Sequence, residues 1–137
     1  MSELADDEPS LLNVDLVLES DRPFDQLSEA LSASLFAMDE GSSVSPAPPY
    51  RARFETNLVH WSTVREVVDE LAAAIDRLPP EALAQWERLS SRVFDVGLQA
   101  GLRCGPHETS IDEHSLATIV RLGGRLLVTV YSPVAPE

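Results

Sequence analysis

Four stretches of the chain alternate apolar and polar side chains with period two, the repeat that puts successive residues on opposite faces of a strand. In the first, Leu12, Val14, Leu16 and Leu18 share one face while Asn13, Asp15 and Glu19 share the other, with Val17 the exception. Between Arg51 and Asn57, Ala52, Phe54 and Thr56 oppose Arg51, Arg53 and Glu55. From Arg92 to Ala100, Phe94, Val96, Leu98 and Ala100 oppose Asp95, Gly97 and Gln99. In the last, Leu126, Val128 and Val130 oppose Arg125, Leu127, Thr129 and Tyr131. One apolar and one polar face per strand predicts a sheet covered on a single side.

Between these runs the period becomes helical. Phe24, Leu27, Leu31, Leu35 and Met38 form one stripe behind Pro23, with Asp25 and Glu29 on the far side. Thr63 and Glu66 have capping-box spacing ahead of the apolar face Val64, Val67, Val68, Leu71, Ile75 and Leu78, and Pro79-Pro80 stops that helix. Glu81 to Leu89 reads as a short third helix with Leu83 and Trp86 inward. Ser110-Ile111-Asp112-Glu113 reads as a second capping box, opening a helix that carries Leu116, Ile119 and Val120 and ends at Gly123-Gly124.

The element order is therefore β-α-β-α-α-β-α-β. A single helix between paired strands makes a crossover, whereas a helical hairpin lets the next strand return antiparallel. The expectation is an α+β two-layer open-faced sandwich: a four-stranded mixed sheet with helices on one face, a ferredoxin-like variant. It occupies residues 11–132 as one domain, in keeping with a 137-residue chain that is 44% hydrophobic. Residues 1–10 read as an acidic disordered tail, too polar to offset the entropy of ordering, and 133–137 as a short C-terminal tail. Asp39 to Tyr50, with its glycine, serines and prolines, reads as a long loop.

Charge narrows the partners. The chain carries a net charge of −13, and ten of those charges fall in the first forty residues, where eleven acids face Arg22 alone. Residues 1–10 contribute −4 and residues 11–40 contribute −6, so the acidity belongs partly to the folded domain. No basic face is available to release counterions from a phosphate backbone, and anionic lipid repels such a chain; nucleic acid and membrane are not expected as partners. A single cysteine, Cys104, allows no intramolecular disulfide and points to a reducing cytoplasm. Every formal base is arginine, a bias that fits a GC-rich bacterial source.

Reactive side chains cluster at Cys104, His107, Glu108, Asp112 and His114. Structural zinc takes four ligands from knuckle spacings, which one cysteine does not provide, and the segment reads as a polar loop leading into a helix. The glycines match neither a dinucleotide nor a Walker loop, and no G-x-S-x-G elbow or H-E-x-x-H helix occurs. Accordingly no metal, cofactor or catalytic residue is assigned.

The richest polar assembly is the uncovered sheet face. Arg53, Glu55, Asp95, Gln99, Arg125 and Tyr131, with Asp15, Arg51 and Thr129, all point to it. Such a face can recognise a small ligand or a peptide, or its charges can pair across neighbouring strands on a solvated surface. A third reading is self-association through Val17, Leu127 and Tyr131.

Taken in this order of elements, Phe94-Asp95-Val96-Gly97-Leu98, Leu127-Val128-Thr129-Val130-Tyr131 and Ala52-Arg53-Phe54-Glu55 resemble a bacterial family of small α/β domains of unknown function. The resemblance would span residues 11–132 and implies a fold but no catalytic residues.

The expected function is that of a cytoplasmic bacterial binding protein. It would neutralise a protein partner with a basic surface, in the manner of an immunity protein against a toxin, through Asp15, Glu19, Asp25, Glu29, Asp39 and Glu40, the acids steering association. The alternatives are a small ligand-binding domain or enzyme using the open sheet face, and a structural homo-oligomer such as a homodimer.

Overall fold

A computed structural model describes residues 10–37, 48–56, 63–99 and 109–131. The first alternating run becomes the middle of the sheet. Strand β1 (Ser10–Ser20) lies between β3 (Tyr50–Glu55) and β4 (Ser91–Gln99), antiparallel to both. Strand β2 (Phe36–Ala37) pairs with β3 at one edge, and β5 (Arg125–Tyr131) runs parallel to β4 at the other, giving the order β2-β3-β1-β4-β5. The sheet is mixed, as expected, but among the described residues has five strands instead of four. The addition is β2, formed where Phe36 and Ala37 follow the first helix and pair with Glu55 and Phe54. The ferredoxin-like expectation carries over only as the two-layer build, since the central pair β1–β4 is antiparallel and the single parallel pair sits at the edge.

Helices α1 (Asp25–Ser32), α2 (Val64–Asp76), α3 (Pro80–Glu87) and α4 (Glu113–Arg121) cover one face. The parallel β4–β5 pair requires a crossover, and α4 lies within it. The core is one cluster. Val14, Leu16, Leu18, Ala52, Phe54, Phe94 and Val96 from the sheet meet Phe24, Leu27, Leu31, Val68, Leu71, Trp86 and Ile119 from the helical layer. Each large side chain here contributes roughly 1.5–3 kcal/mol by leaving water. The Thr63–Glu66 capping box is formed: Glu66 N–H donates to Thr63 Oγ1 at 3.1 Å and Thr63 N–H donates to Glu66 Oε1 at 2.9 Å.

Four local expectations change. A bulge between Leu11 and Asn13 inserts one extra residue in β1, so Leu12 turns outward and Leu11 packs on the core in its place. In α3 the inward residues are Ala82 and Trp86, while Leu83 is exposed. Helix α4 is capped by Asp112, whose carboxylate accepts from Ser115 N–H at 2.8 Å, and not by Ser110. That hydrogen bond holds the Asp112 carboxyl below the usual carboxylate range. Its buried side is Ser115, Ile119 and Leu122, leaving Leu116 and Val120 in solvent.

The turn from α4 into β5 is built on close approach. Gly123 has φ +75, the left-handed region that favours glycine, and a Cβ on Gly124 would lie 2.5 Å from the Phe94 ring. Arg92 ties this corner together. Its guanidinium donates to the carbonyls of Trp86, Glu87 and Gly123 and lies 5.5 Å from the Trp86 ring centroid.

Candidate functional site: a carboxylate row on the open sheet face

Antiparallel register aligns side chains across strands, and here it aligns acids. Asp15 of β1 stands opposite Asp95 of β4, and one step beyond the Leu16–Phe54 pair it stands alongside Glu55 of β3. The row continues to Phe36 beyond Glu55 and to Leu127 beyond Asp95, both exposed. Three carboxylates thus occupy the centre of the uncovered face with an apolar residue at each end. Like charges directly opposite one another repel, so the arrangement requires compensation.

The neighbouring rows supply part of it. Arg53 donates to Asp15 Oδ2 at 3.2 Å, Thr129 Oγ1 donates to Asp95 Oδ1 at 2.8 Å, and Asn13 Nδ2 donates to Glu55 Oε2. The remaining Asp15 oxygen, Oδ1, is buried and has no hydrogen-bond partner among the described residues. Asp95 is 9% exposed. Burial, reinforced by Glu55 and Asp95 and opposed by Arg53, pushes the Asp15 carboxyl up to about 6.

Leu12, Asn13, Asp15, Glu55, Asp95, Gly97 and Tyr131 enclose a concavity of about 160 Å³ over this row. The bulge brings Leu12 to its rim, and Gly97, lacking a side chain, leaves its floor open. A volume this small is below the few hundred Å³ typical of sites for whole small molecules. It suits the end of a side chain or a small amine. One arginine faces three carboxylates, so the complement is cationic.

The expected site residues separate accordingly. Asp15, Glu55, Asp95 and Tyr131 line the concavity, and Arg53 borders it through Asp15. Gln99 instead donates to the Tyr131 carbonyl at 3.2 Å, and Arg125 lies at the opposite end of β5. Glu19 shares the open face but pairs with Arg51 at 3.8 Å near its edge. Asp25 and Glu29 belong to the helical layer, where Glu29 lines a groove between α1 and α3 with Glu81, Ala30, Ala33 and Ala82. The acids expected to form one partner-binding patch therefore occupy two surfaces on opposite sides of the molecule. Asp39 and Glu40 lie outside the described residues, as do Cys104, His107, Glu108 and the two tails. His114 points to Asp69 of α2 at 2.9 Å, an exposed pair. Among the described residues no group of three His, Cys, Asp or Glu side chains is placed to hold a metal ion.

Sequence reasoning missed Leu12 and underused Asn13. The alternation places Asn13 on the open face, but nothing local signals the bulge or the reach to Glu55, forty-two residues away.

A second concavity of about 390 Å³ lies between α2, α3 and the α4–β5 turn, bordered by Leu83, Trp86, Arg92 and Arg121. Its cations are already engaged, Arg92 by backbone carbonyls and Arg121 by Asp76 at 3.1 Å.

Fold and site together define an open-faced α+β sandwich with a carboxylate-lined recess at the centre of its bare sheet. Comparison with family models, curated proteins and solved structures finds no match to this chain. No helix among the described residues is long and apolar enough to cross a membrane.

Proposed function

We propose that the protein is a binding protein whose open sheet face receives a basic side chain from a protein partner. The observation that carries this reading is the buried, unpartnered Asp15 Oδ1 within a row of three carboxylates that one arginine only partly neutralises. A guanidinium or ammonium group entering the recess supplies the missing donor and the missing charge, and charge-assisted bonds to carboxylates are the stronger kind. Tyr131, Phe36, Leu12 and Leu127, all exposed near the row, provide the apolar and aromatic surroundings that favour a cation and its aliphatic stem. The chain's net charge of −13 steers a basic partner toward it. An immunity-type inhibitor of a basic toxin in the bacterial cytoplasm is the concrete form of this proposal.

The test is capture from native cells at pH 7.5 by the wild-type protein and by D15N/E55Q/D95N. The wild type retains a basic protein that the variant, equally folded by circular dichroism, does not. Equal retention by both sinks the reading. A direct titration with butylamine and guanidine separates the second possibility, a free small amine as ligand: saturable binding of the amine at micromolar concentration, without any protein captured, favours the small-ligand alternative.

A further inference from the structure

The two edges of the sheet are finished differently. At one edge, among the described residues, β2 spans only Phe36–Ala37, a short template for another strand. The other edge, β5, has seven residues in unbroken register with β4, contains no proline, and carries its one formal charge, Arg125, at its start. Among the described residues, this edge therefore carries none of the usual protective devices.

This edge is also apolar on the helical side. Val128 and Val130 are 44% and 60% exposed, and above them α4 presents Leu116 at 41% and Val120 at 74%. The orientation of α4 follows from its contacts: His114 and Arg121 reach α2 through Asp69 and Asp76, and Ser115, Ile119 and Leu122 face the core. Helical spacing then turns Leu116 and Val120 away from α2, toward the β5 edge.

We infer that β5 pairs antiparallel with β5 of a second copy, about a two-fold axis normal to the sheet near Val128. The edge is self-complementary in that register. Leu126 faces Val130 of the second copy, Val128 faces its own counterpart, and Arg125 stands opposite Tyr131 on the open face. The same axis brings the two α4 helices together through Leu116 and Val120. These side chains with the strand edge present roughly 500 Å² per copy, so the pair covers on the order of 1,000 Å², the threshold for a specific interface. The strand edge itself carries no acid, so it meets its own copy without opposing carboxylates, Glu113 at the start of α4 being the acid on the adjoining Leu116–Val120 stripe. The axis leaves both carboxylate rows on one side of a continuous sheet, so the dimer presents two recesses to a partner. The dimer itself does not depend on the ligand of those recesses.

Sedimentation equilibrium tests it on the full-length protein. The wild type sediments at twice the chain mass at tens of micromolar, and V120E and V130E, both at exposed positions, each raise the dissociation constant by about tenfold or more. Because Val128 meets its own counterpart, C104S/V128C oxidises to a disulfide-linked dimer, whereas C104S/E29C, on the far side of the helical layer, does not. A wild-type monomer at 100 µM overturns the inference. So does a dimer that is unaffected by both glutamate substitutions and does not cross-link through position 128.

Discussion

Asp15 and Asp95 stand directly opposite each other on antiparallel strands, and the fold gives each a different partner, Arg53 for one and Thr129 for the other. Asp15 bears the cost. Its pKa, pushed up to about 6 from 3.8, means that the folded chain holds this proton more tightly than the unfolded chain does. The stabilisation from that proton is fully present below about pH 4 and is lost as pH rises through about 6. D15N keeps the shape without the charge, so it should flatten this part of the pH profile and stabilise the protein by on the order of 1–2 kcal/mol at pH 8. Urea melts at pH 4.5 and pH 8 measure both effects. A D15N protein that is less stable than wild type at pH 8 would show that the Arg53 contact outweighs desolvation.

Partner binding carries the opposite pH dependence. A cation in the recess favours ionised Asp15, so affinity should rise as pH passes through about 6 and level off above it. The D15N variant should bind more weakly at pH 7.5 and lose this inflection. Calorimetric titration of the captured partner between pH 5 and 8 reads it; an unchanged affinity across that range would place the binding elsewhere.

Thr129 holds the most buried acid of the row. T129V removes the donor to Asp95 Oδ1 while keeping the shape, leaving a carboxylate that is 9% exposed without that bond. The expected loss is about 1–3 kcal/mol at pH 7. The double variant D95N/T129V should recover part of it, because a neutral amide costs less to bury.

The α4–β5 turn separates two glycine effects. G123A forces alanine to φ +75, at a cost of about 1–2 kcal/mol. G124A drives a methyl group to 2.5 Å from a core ring that packs against its neighbours, and should cost more, about 2–3 kcal/mol. Denaturant midpoints in the reverse order would contradict this packing.

Arg92 acts through its planar fork. R92K preserves the charge but cannot span the carbonyls of Trp86, Glu87 and Gly123 at once, nor stack as well on Trp86. A loss of about 1–3 kcal/mol in a urea melt is expected. Equal stability of R92K would mean that charge alone suffices at this corner.

Much of this molecule is legible in one dimension. Which face of β3 or β4 is buried follows from alternation, because successive side chains leave the backbone in opposite directions whatever the strand pairs with. The Thr63–Glu66 cap and the glycine stop after α4 are equally local, set by groups within a few residues. So is the grouping of Asp15, Arg53, Glu55, Asp95 and Tyr131 on one polar face. Tertiary structure decided the rest. Register brought Asp15, Asp95 and Glu55 into one row, though they are separated by tens of residues. A bulge in the pairing with β4 exchanged Leu11 for Leu12. Packing on α2 rotated α4 so that Leu116 and Val120 face outward, although their spacing alone reads as core. The two-layer build put Asp15 and Glu19 on the open sheet face and Asp25 and Glu29 in the helical layer. Periodicity says which residues share a face of their own element; only the contacts between elements say which faces meet.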